Sequence, residues 1–238
     1  MPTPSHSLRK LKSPEPVCEY SGAETEIEER QFSWPGFGGL GGGSGGCNRY
    51  EVISARGTGE LQAFPTGNRG TVDGILNAVS GGSNYEVMYP AIADFLNGPR
   101  QGARDLLSHV QSTLSSCPDT KFVLVGYSQG AMVVVNAEND NSLPVDSVVA
   151  TILYGNPYWR AGQPENAGTA TIGSGSAALT GIRTPEAYRA KTHDVCNRGD
   201  NVCTSIGSLV AHLGYSTSPQ QAESINFAVS QLRAAGIQ

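Results

Sequence analysis

From residue 47 onward, short apolar runs alternate with longer stretches in which apolar residues recur every three or four positions. "YEVISA" (50–55), "YEVMYP" (85–90), "KFVLVG" (121–126) and "VVATILYG" (148–155) have the length and the β-branched and aromatic content of strands. The last two are apolar enough to be buried on both faces, as in a parallel sheet. "AKTHDV" (190–195) reads as a further short strand, which makes five. "RQGARDLLSHVQSTLSS" (100–116) and "PQQAESINFAVSQLRAAG" (219–236) carry helical periodicity, and in the second Ile225, Ala228, Val229 and Leu232 form one apolar stripe. Strands alternating with helices predict an α/β fold, a five-stranded, mainly parallel sheet between helix layers. In such sheets a site lies at the carboxyl ends of the strands.

Residues 1–46 have a different texture. They are Pro-rich at first, acidic through Glu24, Glu26, Glu28 and Glu29, and end in "FGGLGGGSGG". So little apolar surface cannot offset chain entropy, so a disordered tail and flexible linker are expected before a single domain over 47–238. The 238 residues suffice for one sizeable core. A net charge of −5 provides no basic field of the kind that draws nucleic acid, and no apolar run reaches the ~18 residues of a membrane span. Five cysteines, Cys18, Cys47, Cys117, Cys196 and Cys203, allow two disulfides and point to an oxidising compartment. Cys18, in the tail, is the expected odd one. The basic run at Leu8–Lys12 has no apolar segment behind it, so export is inferred from the cysteines and not from a visible signal. No N-glycosylation sequon is present. A monomer is the expected state.

The chemistry concentrates where "KFVLVG" runs into "YSQGAMVVVNA", placing Gly126-Tyr127-Ser128-Gln129-Gly130 between a strand and a helix. In a chain with 30 glycines G-x-S-x-G occurs by chance, but this context is the one a nucleophile elbow requires. The turn is so tight that only glycine fits on either side, and the serine is pushed out at a helix N-terminus, which favours developing negative charge. A serine hydroxyl needs an imidazole to take its proton, and the imidazole needs an acid to fix its tautomer. Of the four histidines, His193 and His212 follow Ser128. His193 stands in a presumed strand, and His212 in "SLVAHLGY", where a loop can carry it over the strand ends.

Between Ser128 and His212 the acids are Glu138, Asp140, Asp146, Glu165, Glu186, Asp194 and Asp200. The first three belong to the far end of the following helix or precede the next strand. Glu165 and Glu186 sit among Pro and Gly in turn sequence. Asp194 competes, but shares the strand of His193. Asp200 follows that strand in "CNRGDNVC", a loop with a cysteine at each end, and rigid presentation is what orienting an imidazole demands. The same loop contains Arg198-Gly199-Asp200, so an adhesion or effector module displaying that tripeptide is the reading from another class.

"GYSQG", "CNRGDNVC", "AHLGY", "CPDTKFVLVGYSQG" and "VISARGTGE" together resemble the fungal cutinases and the acetylxylan esterases, over most of 47–236. The resemblance implies a secreted serine esterase of the α/β-hydrolase fold, with no metal or organic cofactor. It implies Ser128 as nucleophile, Asp200 as acid and His212 as base, and the disulfides Cys47–Cys117 and Cys196–Cys203. It implies an oxyanion hole from the backbone N–H of Gln129 and from Thr58, although Thr58-Gly59 stands where Ser-Thr is usual. Under that fold "AIADFLNG" (91–98) and "SIGSLVAH" (205–212) flank the serine, and Ile92, Leu96, Ile206, Leu209 and Val210 are the expected acyl-binding rim. The expected partner is an ester, either of cutin type or with short to medium acyl chains. Deacetylation of xylan is the alternative, because the polar, Gly-rich segment 154–181 is similar to the acetylxylan esterases.

Overall fold

The computed structural model describes residues 46–238, so the tail and Cys18 lie outside the described residues. Six parallel strands form one sheet: β1 (Tyr50–Ala55), β2 (Gly82–Glu86), β3 (Lys121–Tyr127), β4 (Val148–Tyr154), β5 (Asn166–Ala167) and β6 (Thr192–Val195), in the order β2-β1-β3-β4-β6-β5. The helices are α1 (Arg69–Ala78), α2 (Gly98–Ser116), α3 (Gln129–Glu138), three of four residues each, α4 (Glu186–Arg189), α5 (Asn201–Thr204) and α6 (Leu209–His212), and α7 (Gln220–Ala234).

The sheet has one strand more than the five expected. β5 is two residues long and pairs with Asp194 and Val195, too short for any alternation of apolar and polar positions to show. β2 begins three residues earlier than its apolar pattern suggests. As an edge strand it is only half-buried, and Gly82 sits opposite Tyr50, where a Cβ would stand 2.2 Å from the tyrosine ring. Pairing geometry therefore selected a polar, small-residue segment over the apolar "VMY" that follows it.

The period-2 alternation of the central strands divides the core. On β3, Phe122 and Leu124 join Ile53 and the inner faces of α2 and α3 on one side of the sheet. Val123 and Val125 join Tyr50, Val52, Ile152 and the α1–α7 layer on the other, where Ala228, Val229 and Leu232 of the α7 stripe are buried and Ile225 packs at the edge. Burying an aliphatic or aromatic side chain of this kind is worth about 1.5–3 kcal/mol, so these two layers supply most of the drive to fold. Cys47–Cys117 ties the chain before β1 to the end of α2, and Cys196–Cys203 closes the loop after β6. Among the described residues no helix is long and apolar enough to cross a membrane.

Candidate active site

β3 ends at Tyr127 and α3 begins at Gln129, so the whole reversal falls on Ser128, whose φ of 56° and ψ of −117° no L-residue adopts without support. The support is steric. A Cβ on Gly126 would stand 2.6 Å from the Gly130 carbonyl oxygen, and one on Gly130 would stand 1.9 Å from that of Ala55. The glycines let strand, helix and the end of β1 approach this closely. The Ser128 N–H donates to the Tyr154 carbonyl at 2.8 Å. Although Ser128 holds the N-cap position, its side chain makes no cap hydrogen bond. The hydroxyl is turned out of the helix instead.

There it meets His212: Oγ lies 2.8 Å from Nε2, and Nδ1 lies 2.9 Å from Asp200 Oδ2. Asp200 is fully buried and His212 is 3 % exposed. Asp200 has a second role as N-cap of α5, where Oδ1 accepts the N–H groups of Val202 at 2.7 Å and Cys203 at 3.4 Å. Oδ2 also accepts the Tyr215 hydroxyl at 2.6 Å. Burial by itself raises the Asp200 carboxyl, but the hydrogen bond and charge of His212, then the Tyr215 hydroxyl and the Val202 N–H, outweigh it and hold Asp200 below the usual carboxylate range. It is thus kept ionised beside the imidazole. Burial, then the charge of Asp200, pushes the Tyr215 phenol up, so it stays protonated and donates. With every acceptor site turned inward, the acid of Arg198-Gly199-Asp200 is not displayed to any receptor.

The other acids and the other histidine lie elsewhere. Asp194, on β6, is buried and takes the Asn156 amide at 2.9 Å. Glu138 is buried at the far end of α3 and takes the Thr151 hydroxyl at 2.7 Å. His193 packs its ring 5.1 Å from that of Phe227.

Three neighbours of the imidazole went unread in the sequence. Tyr127 stacks its ring on that of His212, 5.1 Å between centroids and 24° between planes, and donates its hydroxyl to the His212 carbonyl at 3.1 Å. Gly155, with φ at +56°, lies under the ring, where a Cβ would stand 2.5 Å from Cε1 and 2.6 Å from Nδ1. Tyr215 closes the far side of Asp200. Tyr127 and Tyr215 were visible inside "GYSQG" and "AHLGY", but nothing in their spacing said which way the rings point.

Ser128 and His212 open into a cavity of about 660 Å³ that Thr58, Phe95, Met132, Val202, Leu209 and Leu213 also line. Of the five rim residues expected from the sequence, Leu209 lines this cavity. Ile92, Leu96 and Val210 are exposed apolar residues outside its lining, and Ile206 lines a separate depression with Ile172. Gln129, the first residue of α3, has no intrahelical partner for its N–H. Its side-chain amide donates to the carbonyls of Ile92 at 2.9 Å and Asp94 at 3.2 Å, fastening the segment before α2 to the serine turn. Among the described residues, no group of three or more His, Cys, Asp or Glu side chains could hold a metal ion.

The Cutinase family model matches residues 46–232. The chain belongs to the cutinase family. It is 32 % identical over 195 residues to Carboxylesterase Culp1 of Mycobacterium tuberculosis, covering 80 % of this chain and 84 % of that one. Among solved structures it superposes on a cutinase-like protein from Cryptococcus sp. with a TM-score of 0.71 and 32 % identity, over 79 % of this chain and 97 % of that one. The catalytic core domain of acetyl xylan esterase from Trichoderma reesei gives a TM-score of 0.69 and 27 % identity, over 79 % and 100 %. The fold is accordingly the cutinase-like α/β-hydrolase fold, and the protein is a carboxylic ester hydrolase. Both expectations drawn from the resemblance hold at this level.

Proposed function

We propose that the protein is a secreted serine esterase in which Ser128 is the nucleophile, His212 the general base and Asp200 the acid that orients it, acting on esters of acyl chains several carbons long. One observation carries this reading: the Ser128–His212–Asp200 chain of hydrogen bonds, 2.8 and 2.9 Å, opens at the serine into a cavity whose lining includes Phe95, Met132, Leu209 and Leu213.

The chemistry follows from the geometry. Nε2 takes the Oγ proton as Ser128 attacks the ester carbonyl, and the resulting imidazolium is stabilised by the ionised Asp200. The N–H of Gln129, together with the N–H and hydroxyl of Thr58, receives the charge that develops on the carbonyl oxygen; one such donor is typically worth about 3 kcal/mol. The imidazolium returns its proton to the departing alcohol and leaves an acyl-serine. Water, activated in turn by His212, releases the acid. Phe95, Met132, Leu209 and Leu213 offer the acyl chain a wall of carbon. Two disulfides support an oxidising, extracellular location.

Labelling with an organophosphonate and mapping the modified peptide tests the nucleophile, which is expected at Ser128; modification at any other residue overturns the assignment. Rates on p-nitrophenyl acetate, butyrate and longer esters, measured beside acetyl release from xylan, test the substrate. They are expected to rise beyond acetate, and a strong preference for acetyl overturns the acyl-chain reading in favour of a deacetylase.

A further inference from the structure

Thr58 sits at the corner of a turn in which the Glu60 N–H donates to the Gly57 carbonyl at 3.2 Å, with Gly59 at φ +79° in the third position. That geometry is a type II turn, which leaves the N–H of its second residue outside the turn's own hydrogen bond. The two amides flanking Thr58 are both engaged. Gly59 donates to the Ala91 carbonyl at 2.8 Å, and Gly57 donates to Glu60 Oε2 at 2.6 Å. No acceptor among the described residues takes the Thr58 N–H.

Glu60 does far more than close this turn. Its other oxygen, Oε1, accepts the Thr66 N–H at 2.9 Å, the Thr66 hydroxyl at 2.7 Å and the Gly67 N–H at 2.7 Å. One carboxylate thus laces together two strands of loop that are ten residues apart in sequence, Gly57 and Gly67. Both strands lie against the Tyr127 ring, where a Cβ on Gly57 would stand 2.8 Å and one on Gly67 2.1 Å from the ring carbons. The Tyr127 ring in turn stacks on His212. From the opposite side the buried Arg56 donates from Nε to the Glu60 carbonyl at 2.9 Å, so the residue is fixed at both ends.

We propose that Glu60 is a positioning residue for the oxyanion hole: its carboxylate gathers Gly57, Thr66 and Gly67 over the Tyr127 ring and so aims the Thr58 donors at the carbonyl oxygen of the ester. This rests on the reading of Thr58 as an oxyanion donor. Four donors converging on one side chain call for two acceptor oxygens, which a carboxylate supplies. Glutamine has a single acceptor oxygen, and whichever way its amide lies, an NH2 group faces either the Gly57 N–H or the Thr66–Gly67 donors. The turn must then shift, and a donor displaced by a fraction of an ångström loses most of its effect on the transition state.

The test compares an ester with its thiono counterpart, in which sulfur replaces the carbonyl oxygen and gains much less from hydrogen-bond donors. The wild type is expected to favour the oxygen ester strongly. Glu60→Gln is expected to lower kcat on the oxygen ester by about 10- to 100-fold with KM within about twofold, and to shrink the oxygen-to-sulfur ratio of kcat/KM by a similar factor. Equal losses on both esters, or no loss on either, would overturn the proposal, since a loop staple without an oxyanion role leaves the ratio unchanged. A wild-type ratio near one would instead overturn the reading of Thr58 on which the proposal rests. Should the glutamine variant not fold, Thr66→Val removes one of the four hydrogen bonds and is read by the same ratio, with a smaller decrease expected and an unchanged ratio counting against Glu60.

Discussion

The ring of Tyr127 stacks on the ring of His212 at 5.1 Å, and its hydroxyl holds the backbone carbonyl of the same histidine at 3.1 Å. The residue immediately before the proposed nucleophile therefore positions the proposed base, although 85 positions separate the two in the chain. The end of β3 thereby holds both partners of the proposed proton transfer at once. Tyr127→Phe, which keeps the ring, is expected to lower kcat only a few-fold, in line with the ~1 kcal/mol of a single hydrogen bond. Tyr127→Leu, which removes the stacking surface, is expected to cost about tenfold, consistent with ~1.4 kcal/mol for an aromatic pair. Steady-state kinetics on a soluble ester would separate the two variants, and equal effects would mean that the ring does not orient the imidazole.

Gly155 is the floor beneath that imidazole. An added methyl group would overlap Cε1 and Nδ1 of His212 and stand 2.9 Å from Asp200 Oδ2, so Gly155→Ala is expected to push the ring off its line to Ser128. A misplacement of about 1 Å can cost about 100-fold in kcat, and this is the expected size of the loss. Retained far-ultraviolet circular dichroism beside that loss would confirm a local effect; near-full activity would show that the site tolerates the displacement.

Tyr215 donates to Asp200 and accepts the Asn197 N–H at 3.1 Å, joining the acid to the start of its own loop. Tyr215→Phe leaves the Asn197 N–H without its partner and removes one donor from the carboxylate. Denaturant unfolding is expected to show a loss of about 1–3 kcal/mol, the cost of an unpaired polar group, and kcat to fall several-fold. An unchanged unfolding midpoint would argue that water replaces the phenol fully.

The two disulfides are expected to separate stability from activity. Cys47–Cys117 closes a loop with a sequence separation of 70 residues, remote from Ser128, and its removal as a pair of serines should cost roughly 4 kcal/mol by the loop-entropy relation while sparing kcat. Cys196–Cys203 encloses Asp200 within a separation of seven residues, so removing it should depress kcat as well. Paired measurement of unfolding free energy and kcat checks this, and equal effects on kcat from both pairs would contradict it.

Asp194 and Glu138 give the pH dependence of stability its sign. Burial raises both carboxyls to about 8, with the Asn156 amide opposing the shift at Asp194 and the Thr151 hydroxyl at Glu138. The folded protein therefore holds protons that the unfolded chain has released at about pH 4, so this stability is complete below about pH 4 and is lost as pH rises towards 8. Asp194→Asn is neutral throughout and can still accept the Asn156 amide. Its unfolding free energy should fall less steeply than that of the wild type between pH 5 and about 8, by an amount on the order of a few kcal/mol; parallel curves would show that Asp194 stays ionised in the fold.

The elements themselves were largely readable. β1, β3, β4 and the two long helices α2 and α7 came from apolar periodicity, because a residue's place on a sheet or helix face depends only on its near neighbours in the chain. β5 and the start of β2 were not readable, since a two-residue strand has no period and an edge strand has little need to be apolar.

The serine turn was legible for the same local reason: in Gly126-Tyr127-Ser128-Gln129-Gly130 the constraints act within five residues, and only glycine fits beside the elbow. The sequence by itself also favoured His212 over His193 as the candidate base and Asp200 over Asp194 as its partner. Only the tertiary structure decided which carboxylate reaches the imidazole. That depends on β6 placing Asp194 against the Asn156 amide and on the α5 cap, which holds Asp200 Oδ1 and leaves Oδ2 facing His212. It decided likewise that Leu213, Phe95 and Met132 line the cavity while Ile92 and Leu96 do not, that Glu60 lines it beside Ser128, and that Gly155 and Tyr215 pack against His212 and Asp200. The physical reason is one of range. Periodicity and turn sterics are written in neighbouring residues, whereas a site is the meeting of side chains from β1, β3, β4 and the α5–α6 loops, and their convergence is set by the packing of the whole sheet.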